Sequence, residues 1–135
     1  MKRIFLSLLI TFLFSCKKDS DISNLQNTIA GSWEYENFIG YPFINRVSPP
    51  GNGKIIVIGK DGSFKRFQHD TLMFSGKYTL TKKNDCYQRN SNIVFSTNEY
   101  PDNDYRYIEL NNGELTLSTP NCYQDGGTVY YRRIE

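Results

Sequence analysis

Few side chains in this chain are of the kinds that perform chemistry, and their spacing excludes most of it. The single histidine, His69, is followed at once by Asp70. Neighbours on a tight turn cannot form a catalytic relay, and no serine or cysteine is placed to use one. Glu34 and Glu36 are carboxylates two apart, as are Asp102 and Asp104. On strands or turns that spacing gives solvated faces, not an acid–base pair. The cysteines Cys16, Cys86 and Cys122 are widely separated, and one histidine with no short cysteine spacing does not make a metal site. No phosphate-binding loop is visible. The chain is expected not to be an enzyme, and to need no cofactor.

The elements that would position any other site begin after the N-terminus. Lys2 and Arg3 precede an apolar run from Ile4 to Phe14, broken only by Ser7 and Thr11. The run is too short to span a bilayer as a helix and suits a signal-peptide core. It ends in Leu13-Phe14-Ser15-Cys16, which resembles a bacterial lipobox. That resemblance implies cleavage before Cys16, so that residues 1–15 are a signal peptide, and attachment of acyl chains, such as palmitate, to Cys16. Several acyl chains give stable membrane anchoring. The alternative is an ordinary secretory signal with an accidental cysteine. Residues 16–28 are polar and read as a flexible tether. Its opening, Lys17-Lys18-Asp19-Ser20-Asp21, resembles the surface-export signal of Bacteroidetes lipoproteins, or is a plain solvated linker.

Without residues 1–15, the 16 basic residues lose Lys2 and Arg3 and stand at 14 against 14 acidic. Near-zero charge with no basic cluster argues against nucleic acid as a partner. The remaining length suits one domain, expected over residues 29–135 and monomeric. Ten tyrosines and nine phenylalanines, with frequent glycine and no long helical period, read as an all-β composition. In an exported protein, Cys86 and Cys122 are expected to form a disulfide.

Eight strands follow, at about 31–36, 54–59, 63–68, 71–80, 91–97, 104–110, 114–118 and 128–134. Asp61-Gly62, His69-Asp70 and Asn112-Gly113 mark tight turns. In the third strand Phe64 and Phe67 are three apart, which suggests a bulge. Between the first two strands lies a long aromatic connection, Asn37 to Gly53, ending in Pro49-Pro50-Gly51-Asn52-Gly53. The prolines and glycines exclude regular structure there, and such loops serve as lids or as self-packed Ω-loops. Short strands joined by hairpins predict an eight-stranded up-and-down antiparallel barrel, with a two-sheet sandwich as the competitor. In strict up-and-down order the loops of Cys86 and Cys122 lie at opposite ends, so the disulfide strains that topology.

Gly31-x-Trp33 on the first strand and an arginine on the last resemble the lipocalin superfamily. Ile29-Ala30-Gly31-Ser32-Trp33, Pro49-Pro50-Gly51-Asn52-Gly53, Lys60-Asp61-Gly62, Leu115-Thr116-Leu117-Ser118-Thr119-Pro120 and the ending from Gly126 to Arg133 resemble, more narrowly, the small lipocalin-like lipoproteins of Bacteroidetes. The resemblance implies that Gly31 and Trp33 close one end of the barrel and that Arg132 packs across the indole, with Arg133 as second choice. It also implies an outer-membrane protein of the cell envelope that holds a small apolar or amphipathic ligand. The pocket would use Tyr35, Phe74, Tyr78 and Phe95, gated by Phe38, Tyr41 and Phe43. An eight-stranded barrel is just wide enough to be filled by side chains or to hold one small ligand. A solid barrel would instead serve as a surface module that binds a protein or glycan.

Overall fold

The computed structural model describes residues 20–84, 92–99, 105–120 and 125–135. Residues 1–15, the expected signal peptide, and Cys16, Cys86, Asp102, Asp104 and Cys122 lie outside these residues. The described chain is one short helix and nine strands: α1 (Ser20–Ile29), β1 (Gly31–Gly40), β2 (Ile44–Val47), β3 (Lys54–Ile58), β4 (Ser63–Gln68), β5 (Thr71–Lys82), β6 (Ile93–Thr97), β7 (Arg106–Asn111), β8 (Glu114–Ser118) and β9 (Gly127–Arg133). Each of β3 to β9 pairs with the next, β3 pairs with β1, and β9 returns to β1. The result is an eight-stranded antiparallel closed barrel, the architecture that the lipocalin resemblance implied. β2 stands outside the ring, paired only with the far half of β1.

Local chemistry explains the ring. His69 and Asp70 both adopt positive φ, at 46° and 63°, and Asn112-Gly113 does so at 51° and 82°. These two-residue turns match strand twist and set the β4–β5 and β7–β8 registers. Between β3 and β4, the Ser63 N–H and hydroxyl both donate to Asp61 Oδ1, at 3.0 and 2.6 Å. These bonds hold the Asp61 carboxyl below its ordinary value. The bulge suggested by Phe64 and Phe67 lies in that ladder. Its extra residue is Met73, on the facing strand β5, where Arg66 pairs with Phe74 and Phe67 with Leu72.

Two expectations are corrected. The tether expected up to residue 28 is helical from Ser20. Ile22, Leu25 and Ile29 lie on one helix face and pack on the barrel core, so burial stabilises a helix too short to persist alone. The connection after the first strand is not irregular throughout. β1 runs on to Gly40 and forms a hairpin with β2, and only 48–53 remains a loop. Glu36 is an extra residue in the β1–β9 ladder: Tyr35 pairs with Tyr131 and Asn37 with Tyr130. The bulge lets β1 bend outward while it stays on the sheet.

The interior is filled from α1 upward. Trp33, Ile29, Ile58, Ile108 and Leu115 are fully buried. Above them Tyr78 stacks on Phe95 at 5.1 Å, and Phe64 meets Phe95 at 5.6 Å and Phe74 at 6.0 Å. Such aromatic contacts add about 0.5–1.5 kcal/mol each beyond burial. No disulfide occurs among the described residues, and the expected pair, Cys86 and Cys122, lies outside them.

Candidate functional site

The closed end fixes which end is open. Trp33 Nε1 donates to the Ile29 carbonyl at 2.7 Å. The cation on the indole is Arg133, its guanidinium carbon 4.3 Å from the ring centroid. Arg132, the expected partner, is on the other face. Tyr131 belongs to the core, so Arg133 shares its inward face while Arg132 points outward with Tyr130. Arg133 also donates to the carbonyls of Ala30 and Thr28, at 3.1 and 2.5 Å. It thereby ties the last strand to the C-terminal end of α1. Gly31, at φ +143°, admits the chain end: a Cβ there would lie 2.6 Å from the Glu135 carbonyl oxygen.

Arg132 joins a separate cluster on the outer wall. Its Nε lies 3.4 Å from Glu34 Oε2, and its Nη2 donates to the Ser48 carbonyl at 2.9 Å. The Gly51 N–H donates to Glu34 Oε2 at 3.0 Å, and Gly53 N–H to Oε1 at 3.4 Å. Glu34 is only 4% exposed, so the expectation of a solvated carboxylate is corrected for this residue. The Pro-Pro-Gly-Asn-Gly loop covers it. This cluster ties a loop to the barrel.

At the end away from α1 the filling stops above Phe95, Phe64 and Leu117, leaving a cavity of about 190 Å³. Val129 and Tyr131 of β9 and Ile56 of β3 complete its apolar wall. The mouth is polar: Thr97, Glu99, Arg66 and Arg106 line it, and Arg66 and Glu99 form an ion pair. Among the described residues β6 and β7 share two rungs, Val94 with Tyr107 and Phe95 with Arg106, and the cavity opens beside them. Among the described residues, two guanidinium groups and one carboxylate line this mouth.

Of the expected ligand residues, Phe95 lines this cavity. Tyr78 supports Phe95 from below and donates its hydroxyl to the Gly59 carbonyl at 2.9 Å. Burial pushes the Tyr78 phenol above its ordinary value. Tyr35 stands edge-on to Tyr131 at 6.3 Å, beneath the Lys54 ammonium, and donates to the Arg46 carbonyl. Phe74 and Phe38 lie over glycines. A Cβ on Gly76 would meet the Phe74 ring at 2.6 Å, and one on Gly40 would meet the Phe38 ring at 2.6 Å. Tyr41 and Phe43 point into solvent and do not line the cavity.

The polar rim was missed in the sequence. The signal was parity: Arg66 is two residues from buried Phe64, and Arg106 shares a face with Ile108 and Leu110. Charged residues on an inward face mark the level at which the core stops.

No family model, no curated protein and no solved structure matches this chain.

Proposed function

We propose that this barrel is a binding protein that holds one small amphipathic molecule at its open end. The observation that carries this reading is the cavity itself, apolar below and lined at the rim by the polar and charged groups of Thr97, Arg66, Glu99 and Arg106. Its 190 Å³ is close to the roughly 150 Å³ that accommodates benzene, and below the roughly 300 Å³ of pockets for drug-sized ligands. The fitting ligand is therefore a single ring or a short chain with a polar or anionic head. Thr97, Arg66 and Arg106 would meet the head, and Phe95, Leu117 and Val129 the apolar body. The lipobox-like Leu13-Phe14-Ser15-Cys16 supports a chain lipidated at Cys16 and tethered to the outer membrane of the cell envelope, acting as a monomer.

The test is a nuclear magnetic resonance titration of the full chain with benzoate, phenol and toluene. The account expects shifts confined to residues that line the cavity, strongest for benzoate. Val129→Phe, which fills the space, should abolish them. Shifts scattered over the surface, or unchanged by Val129→Phe, would overturn the proposal.

A further inference from the structure

The β1–β2 hairpin stays on the ring as far as Gly40, which pairs with Gly127, and turns at the same end as the cavity, where it carries exposed apolar side chains. Phe43, at its tip, is 100% exposed, Val47 is 71% exposed and Tyr41 65%. Phe43 also sits at φ 61°, a left-handed conformation that favours glycine and disfavours bulky side chains. The fold thus holds a large ring in a strained position where it touches nothing. The Lys54 ammonium stands 5.0 Å from the Tyr35 ring, whose hydroxyl donates to the Arg46 carbonyl, so two basic residues lie together at the base of the hairpin. Arg46 lies on the hairpin itself and is exposed.

We infer that this hairpin is a membrane-contact finger, whose partner is the interfacial region of an anionic lipid bilayer. Aromatic rings prefer the headgroup level, where the ring is desolvated and a tyrosine hydroxyl stays wet. Exposed basic side chains are drawn to anionic headgroups. The finger begins at the cavity rim, since Phe38 pairs with Val129 and Val129 lines the cavity. Phe43 and Tyr41 would enter the interface, with Arg46 at the headgroups.

The experiment uses the full chain with vesicles of phosphatidylglycerol and phosphatidylcholine, the latter brominated in its acyl chains. Phe43→Trp adds one indole at the tip, and Trp33, fully buried, supplies a constant background. Emission is normalised to vesicle-bound protein recovered by flotation. The inference expects the added emission to shift to the blue and to be quenched by the brominated chains. Arg46→Glu should weaken that engagement about tenfold or more, and added salt should do the same. Two results overturn it: emission that stays at the wavelength of a water-exposed indole and unquenched, or a blue shift that needs no vesicles and grows with chain concentration, which would mean that a second copy covers the finger.

Discussion

Arg133 sits over Trp33, its guanidinium carbon 4.3 Å from the ring centroid, while its terminal nitrogens donate to the Ala30 and Thr28 carbonyls. One side chain therefore joins β9, β1 and the C-terminal turn of α1. Arg133→Ala should destabilise the fold by about 1–2 kcal/mol, from a cation–π contact and two charged hydrogen bonds at a partly wet site. Arg133→Lys should recover less than half of that, because an ammonium cannot stack and fork at once. Urea unfolding followed by Trp33 fluorescence measures both. Equal stability of Arg133→Ala and the native chain would refute the role.

The outer cluster should behave as one unit. Glu34→Ala leaves the Gly51 N–H without its acceptor and takes from Arg132 the nearer and more buried of its two carboxylates, Glu36 being the other, and should cost about 3 kcal/mol. The 48–53 loop should then become sensitive to proteases. Combining Glu34→Ala with Arg132→Ala should cost less than the two single losses added together, because the partners share one interaction. Additive losses in a double-mutant cycle would show that the two residues act separately.

The Phe74-Ser75-Gly76 sequence places a ring over a glycine on its own strand. Gly76→Ala drives a methyl group into that ring and into Asn98 Oδ1, and should cost about 1–3 kcal/mol. Adding Phe74→Leu, which removes the ring, should recover part of the loss. If Gly76→Ala is neutral in thermal unfolding, the packing of Phe74 over Gly76 is not as described.

Stability should respond to pH at both extremes. The phenol of Tyr78 is raised above 10.0 by burial. Its stabilising contribution is therefore complete below about pH 10 and is lost as pH rises through the higher folded value. Between about pH 10 and pH 12 the native chain should lose stability more steeply than Tyr78→Phe. Asp61 has the opposite sign. Held below 3.8, chiefly by the Ser63 hydroxyl bond, it contributes above its ordinary value, and the contribution fades as pH falls through the lower folded value. Denaturant titrations across pH, with Asp61→Asn at the acid end, check both.

The hairpins and the barrel were legible because period-two strands and Asp-Gly, His-Asp and Asn-Gly turns are local signals. Strand β4 and strand β8 end where the sequence places them. What escaped was set by tertiary contact. α1 has only Ile22, Leu25 and Ile29 on its buried face, too few to stand out in a polar segment, and the barrel floor makes it a helix. Parity showed that Tyr130 shares a face with Arg132, but not which face was inside. Tyr131 in the core decides that, and it assigns the indole to Arg133. The extension of β1 depends on the Glu36 bulge, which no pattern of residue types marked. The cavity was expected among aromatics, yet Tyr78 and Phe74 pack into the barrel filling, Tyr41 and Phe43 are exposed, and of the seven only Phe95 lines the open space, beside Arg66 and Arg106 on inward faces.

Native mass spectrometry of the full chain, recovered from the membranes of its own cells, tests the carrier account most directly. The account predicts one small adduct per chain, displaced by excess benzoate and absent from Val129→Phe. A chain that flies bare in repeated preparations, or an adduct that Val129→Phe retains, would contradict it.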